Sequence, residues 1–284
     1  MDGISNESKA AILAEALPYI QRYNGSIVVI KYGGNAMINP ELKDSVMQDV
    51  VLLTQVGIKV VLVHGGGPEI NDTLSKMNIK STFVNGLRQT DEQTMAVVQM
   101  VLAGKVNKDL VNLIGNTGGK ALGLSGIDGH MIEARKINEV LGYAGEIVSV
   151  DATPILNAFG AGYIPVIATI GYDKEGKVYN INADDAASAI AAKLEAACLI
   201  FLTDIKGIMK DPKDETSLIP EMTAETAEKL ISEGVIKDGM IPKARCCIEA
   251  IKKGVKKVFI IDGRVPHSLL IEMLSDKGIG TMFK

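Results

Sequence analysis

Lys31 closes the run of β-branched residues in IKYGG, with Gly33 and Gly34 directly behind it. A lysine leaving a buried strand at that point asks for an anionic partner. A second lysine, Lys243 in DGMIPK, sits at the start of an amphipathic pattern. Either lysine alone reads as a solvated side chain. The segment VHGGGPEI sets Gly65, Gly66 and Gly67 between a buried strand and a helix whose first turn holds Pro68. Glycine lets the backbone approach a ligand closely, and the free N–H groups of a helix start attract phosphate or a developing oxyanion. A tight turn is the plainer reading. In NINADDAA, Asp184 or Asp185 opens a helix, as an ordinary cap or as a site residue. Consecutive helical residues point about 100° apart, so only one of the two carboxylates faces a given ligand.

Lysines, backbone amides and one carboxylate suit phosphoryl transfer, where positioning and charge stabilisation supply most of the catalysis. Neither standard phosphate cradle is present. There is no GxxxxGK[ST], and Ile70 stands where the third glycine of GxGxxG belongs. The cations at strand ends and helix starts must do that work instead.

The elements that position these residues alternate. SIVVI, IKVVLV, YIPVIATI, CLIFLTD and VKKVFIID are apolar almost throughout, as strands buried on both faces require. Between them lie helical patterns such as ELKDSVMQDVVLLTQVG, where Leu42, Val46, Val50 and Leu53 share a stripe and Gly57 ends it. This is βαβ grammar, and ligands in open α/β sheets bind at the carboxyl ends of the strands. Thr90 and Gln93 read as a capping box for a helix running from Asp91 through AVVQMVLAGKVNKDLVNL. MIEARKINEVLGYAGEIVSVD is polar and partly alternating, an exposed hairpin over one edge. The charged loop YDKEGKVYN marks a lobe boundary near residue 177, giving an N-terminal helix at 1–24, an N-lobe at 25–176 and a C-lobe at 177–284. There is no internal repeat of fixed period.

The 284 residues carry a formal charge of −4 with a pI near 5.5 and no polybasic block, which argues against nucleic acid or an acidic membrane as the main partner. Cys198, Cys246 and Cys247 are too few and too close for a disulfide framework. No stretch reaches about 18 uninterrupted apolar residues, and the first residues lack the pattern of a signal peptide. A soluble, cytoplasmic chain is expected.

In order, IKYGG, VHGGGPEI, NGLRQTD, NINADDAA, LTDIKGIM and DGMIPK resemble the acetylglutamate kinases within the amino acid kinase family. The resemblance spans nearly the whole chain. It implies an α/β fold, a three-layer αβα sandwich with a central, mainly parallel sheet, preceded by a kinked N-terminal helix. It implies an N-lobe for N-acetyl-L-glutamate, a C-lobe for ATP, and transfer of the γ-phosphoryl group to the side-chain carboxylate in arginine biosynthesis. By motif match, Lys31 and Lys243 look like transition-state stabilisers and Asp184 like the residue that orients them. Gly66, Gly67, Arg88 and Asn180 look like substrate contacts, with Gly33, Gly34 and Gly65 toward phosphate. Asp204, Gly207, Met209 and Lys237, in DIKGIM and in residues 235 to 239, look like the nucleotide's surroundings. Magnesium is expected to arrive with ATP, held by phosphates and water, so no protein ligand is named. No general base is needed, because the carboxylate nucleophile is already ionised at neutral pH. His64 then buttresses the turn.

The chain ends carry a second implication. SKAAILAEALPYIQRY has helical spacing at Leu13, Leu17 and Ile20, with Pro18 expected to kink or split it. It resembles the N-terminal helix of the arginine-inhibited, hexameric acetylglutamate kinases, trimers of dimers in which such helices interlace; packing on its own domain is the alternative. PHSLLIEMLSDKGIGTM resembles their arginine site, which carries over to His267, Glu272 and Gly278, with Tyr19 nearby. Other readings are a related kinase for carbamate, aspartate, glutamate or UMP, and an arginine sensor without catalysis.

Overall fold

The computed structural model describes residues 5–211, 214–237 and 239–284. Asp238 of DGMIPK, and with it one position of the 235–239 segment, lies outside the described residues.

Eight strands form the central sheet: β1 (Ile27–Tyr32), β2 (Lys59–His64), β5 (Ala121–Ser125), β8 (Ile164–Ala168), β11 (Cys198–Thr203), β12 (Glu221–Met222), β13 (Val258–Asp262) and β14 (Thr281–Phe283). Their order is β12-β14-β13-β11-β1-β2-β8-β5, and every pairing is parallel except β13 with β14. Alternation along β1 sends Val28, Ile30 and Tyr32 to one apolar layer and Val29 to the other. The first layer is roofed by α2 (Pro40–Gln55), α3 (Gly67–Lys76), α4 (Glu92–Gln99), α5 (Asn107–Asn116) and α10 (Ser268–Leu274). The second is roofed by α6 (Thr153–Gly160), α7 (Ala183–Lys193), α8 (Ala224–Ser232) and α9 (Met240–Lys252). This is the expected αβα sandwich, with Val46, Val50 and Leu53 of the expected α2 stripe buried, Leu42 half-buried, and Gly57 following the helix at φ 94°.

The sheet turns direction at β1: β2 continues on one side and β11 on the other, so β1 ends at a topological switch point. Register pairs Tyr32 with His64 and Lys31 with Phe201. The glycine pair after β1, the glycines after β2 and Asp204 after β11 therefore leave the sheet side by side.

Several expectations are corrected. YIPVIATI is two strands: after β8 the chain bends at Thr169 into β9 (Ile170–Tyr172). The 131–151 hairpin exists, as β6 (Ile132–Lys136) and β7 (Ala144–Val150), but it closes with β9 and β10 (Val178–Ile181) into a small four-stranded barrel and buries Met131, Ile132, Ala134 and Ala144. Thr90 does not cap α4. Its backbone is engaged by Leu141 and Tyr143 and its hydroxyl donates to the Arg88 carbonyl, while Asp91 caps by accepting from Thr94 N. Between α4 and α5 the helix widens into a π turn, Met100–Val106. Pro18 does not split α1 (Asn6–Tyr23), which runs unbroken through it.

Candidate active site

Asp184 lies in the first turn of α7, where the helix N-terminus favours an anion. The cap itself is Asn182, whose side chain accepts from the Asp184 and Asp185 amides, so both carboxylates are released from capping. Asp184 Oδ1 lies 2.8 Å from Lys31 Nζ, and Oδ2 lies 3.6 Å from Lys243 Nζ. Lys243 occupies the first turn of α9, an end where the helix dipole disfavours a cation. The Asp184 carboxylate offsets that. Burial pushes the Asp184 carboxyl up, but the two ammonium groups outweigh burial and hold it below the usual carboxylate range. Asp185 does not join the two lysines: Cys246 Sγ lies 3.6 Å from its Oδ1, burial raises its carboxyl, and the residue lines the neighbouring glycine-rich cavity. One carboxylate enters the lysine cluster, as helical geometry requires.

Lys31 curls over Gly33: a Cβ there would lie 2.8 Å from its ammonium nitrogen. Gly34 has φ 72°, and a Cβ there would meet Asp204 Oδ1 at 2.7 Å. Gly34 needs glycine for its backbone conformation, whereas a side chain at Gly33 would require the Lys31 ammonium to move.

These glycines line a cavity of about 310 Å³ together with Lys31 and Gly65, Gly66 and Gly67. Arg88 and Asn180 complete the opposite wall. Arg88 is carried by a hairpin of β3 (Thr82–Val84) and β4 (Leu87–Gln89), joined by Asn85 and Gly86, both with positive φ. This is an Asn-Gly turn matched to strand twist. The guanidinium is buried, donates to Ser81 Oγ and to the Gly67 carbonyl, and stacks 4.7 Å from the centre of the Phe83 ring. Burial lowers its pKa. Asn180 donates to Thr90 Oγ1 at 3.3 Å. Sequence reading missed Phe83, Ser81 and Thr90; the flanked Asn-Gly pair was the available signal for the first two.

A cavity lined by Lys31, glycine backbone and a buried guanidinium, with Asp184 and Lys243 beside it but outside its lining, has the chemistry to attract anions. Asp204 reaches this site through Gly34. Gly207 (φ 146°) packs on Thr281 and Met209 bridges to Leu218, while Lys237 precedes α9; none of the three lines that cavity.

A second cavity, of about 500 Å³, brings Tyr19 of α1 together with Glu272 and Gly278. Glu272 Oε2 accepts from the Ile279 and Gly280 amides, and a Cβ on Gly278 would collide with this carboxylate. Burial raises the Glu272 carboxyl. His267 is not in this wall; it adopts φ 57° before α10 and places Nδ1 2.6 Å from Asp49 Oδ1.

The amino acid kinase family model matches residues 26–262. An acetylglutamate kinase from Brachyspira hyodysenteriae is 56% identical over 286 residues, covering 100% of this chain and 99% of that one. The chain belongs to the amino acid kinase family, among its acetylglutamate kinases. Two solved structures of N-acetylglutamate synthase from Neisseria gonorrhoeae resemble this kinase: one complexed with coenzyme A and N-acetyl-glutamate (27% identity, TM-score 0.84), the other with coenzyme A and L-arginine (26%, 0.79). Each covers 96% of this kinase, which spans only 63% and 65% of those two chains.

Proposed function

We propose that this kinase transfers the γ-phosphoryl group of ATP to the side-chain carboxylate of N-acetyl-L-glutamate, with Lys31 and Lys243 as the charge stabilisers. The observation that carries this assignment of roles is the single Asp184 carboxylate bridging two lysines beside the glycine-lined cavity. The nucleophile and the phosphoryl group are both anionic, and fixed cations relieve their repulsion most where charge spreads over the transferring oxygens. Asp184 holds both lysines without itself meeting the substrate. Arg88 takes the α-carboxylate, for which a guanidinium supplies two parallel donors. Amides of Gly66 and Gly67, and Asn180, orient the acceptor; those of Gly33, Gly34 and Gly65 face the phosphates. Asp204, Gly207, Met209 and Lys237 are assigned to the nucleotide. Magnesium supplies neutralisation of the phosphate oxygens when bound. Asp184 is already engaged by two ammonium groups, so the metal's ligands are assigned to phosphates and water.

ATP turnover with N-acetylglutamate, glutamate, aspartate, carbamate and UMP tests the substrate. Selective turnover with any acceptor other than N-acetylglutamate overturns it.

A second reading concerns control. The cavity of Tyr19, Glu272 and Gly278, with His267 on the neighbouring end of α10, is assigned to feedback inhibition by arginine, since a half-buried carboxylate is the natural partner of a guanidinium. Glu272→Ala is expected to abolish arginine inhibition while leaving turnover; undiminished inhibition removes Glu272 from that site. On α1, Leu13 is 74% exposed and Leu17 52%, an unburied apolar stripe that supports a hexamer of interlaced helices. Light scattering after deletion of residues 1–24 is expected to show dimers, and an unchanged mass rejects that role. The lobe boundary near 177 and a cytoplasmic location are retained as part of this proposal; among the described residues no helix is long and apolar enough to cross a membrane.

A further inference from the structure

His64 ends β2 fully buried, directly before the glycines. Its Nδ1 lies 2.9 Å from the Gly65 carbonyl, and its Nε2 lies 3.1 Å from Asn107 Nδ2. Asn107 is buried too, at the first position of α5. Its Nδ2 also reaches the Val166 carbonyl at 2.9 Å and the Leu124 carbonyl at 3.2 Å, while its Oδ1 accepts from Lys108. Carbonyls only accept, so two of them fix which way the Asn107 amide points. Nδ2 has two hydrogens for these two carbonyls and Nε2, so one of them is shared; because an amide nitrogen cannot accept, Nε2 is the unprotonated ring nitrogen and Nδ1 carries the proton toward Gly65. Burial, with the Lys108 charge acting in the same direction, pushes the imidazolium pKa down to about 4.

A trans peptide is planar, with its C=O and N–H pointing opposite ways. There are no cis peptides among the described residues. Holding the Gly65 carbonyl against His64 therefore aims the Gly66 N–H away from the ring, and Gly66 lines the active-site cavity. Gly66 is pinned from behind as well, because Leu102 and Val106 of the π turn occupy the space a Cβ would need.

We propose that His64 and Asn107 are positioning residues: a neutral imidazole, its tautomer set by Asn107, orients the Gly65–Gly66 peptide so that the Gly66 amide faces the reacting anion. The proposal rests on the assignment of the Gly66 amide to ligand binding, and its test has one arm that does not need turnover. Long-range 15N–1H spectra of the intact enzyme are expected to show His64 as the Nδ1–H tautomer from pH 6 to 8. An Nε2–H tautomer, or a titration in that range, overturns the proposal whatever the substrate.

The second arm is kinetic. His64→Leu removes the donor, whereas His64→Asn places an amide N–H near the Nδ1 position. In protein shown by its melting transition to be folded, His64→Leu is expected to lower kcat/KM by about 10²-fold, the scale of a misplaced reacting geometry. His64→Asn is expected to recover most of that loss, and neither variant should shift the pH profile. Equal losses in both variants, or His64→Leu with unchanged kcat and KM, reduce His64 to core packing. Loss of a titration near neutrality in His64→Leu would make it an acid–base group instead.

Discussion

Lys31, on the central strand, and Asp184, in the first turn of α7, meet at 2.8 Å, and the same carboxylate reaches Lys243 across the site. The shared anion keeps two like charges close to each other before any substrate arrives.

Removing either cation is expected to be costly to catalysis. Lys31→Ala and Lys243→Ala should each lower turnover by on the order of 10²-fold or more, the scale for one preorganised charge stabiliser. Steady-state kinetics on folded variants checks this. Unchanged turnover refutes the role of the residue concerned.

Asp184 links the site to acid stability. Its folded pKa lies below the ordinary 3.8, so its contribution is present above that value and is lost as pH falls through the folded one. Asp184→Asn is expected to unfold at lower urea than the wild type at pH 7, by about 2 kcal/mol. The gap should narrow as pH falls below 3.8 and through the folded value. A gap that stays the same throughout would show that the ion pairs are not its source.

Arg88 is wedged between Phe83, Ser81 and the Gly67 carbonyl, so its guanidinium is oriented before ligand binds. Arg88→Lys keeps the charge but loses the planar fork, and should raise KM for the acceptor by about tenfold with a smaller effect on kcat. A larger fall in kcat than rise in KM would place Arg88 on the transition state instead.

Gly34→Ala combines a left-handed backbone with a collision against Asp204. Gly176→Ala has comparable φ (84°) and open space, so it carries only the backbone cost of about 1–2 kcal/mol. Thermal unfolding should show the larger loss for Gly34→Ala. Equal losses would mean that Asp204 moves aside freely.

The strand ends and glycine turns could be read in the sequence because they are local signals: apolar runs that stop at glycine, then a helix start. Those signals place Lys31, Lys243 and the Asp184–Asp185 pair at such ends, whereas the choice of Asp184 and the three roles come from the resemblance to the acetylglutamate kinases. What sequence reading got wrong depended on distant partners. Thr90 has a capping residue's chemistry, but Leu141 and Tyr143 claim its backbone and leave the cap to Asp91. Closure of the 131–151 hairpin into a barrel needs β9 and β10, which arrive later in the chain.

Because β1 pairs with β2 on one side and with β11 on the other, the strand that carries Lys31 stays half-paired until Phe201 and its neighbours have left the ribosome. Loop closure over that distance is slow relative to local helix formation. Regained activity during refolding should therefore lag the recovery of helical signal, making catalysis itself a reporter of the β1–β11 pairing.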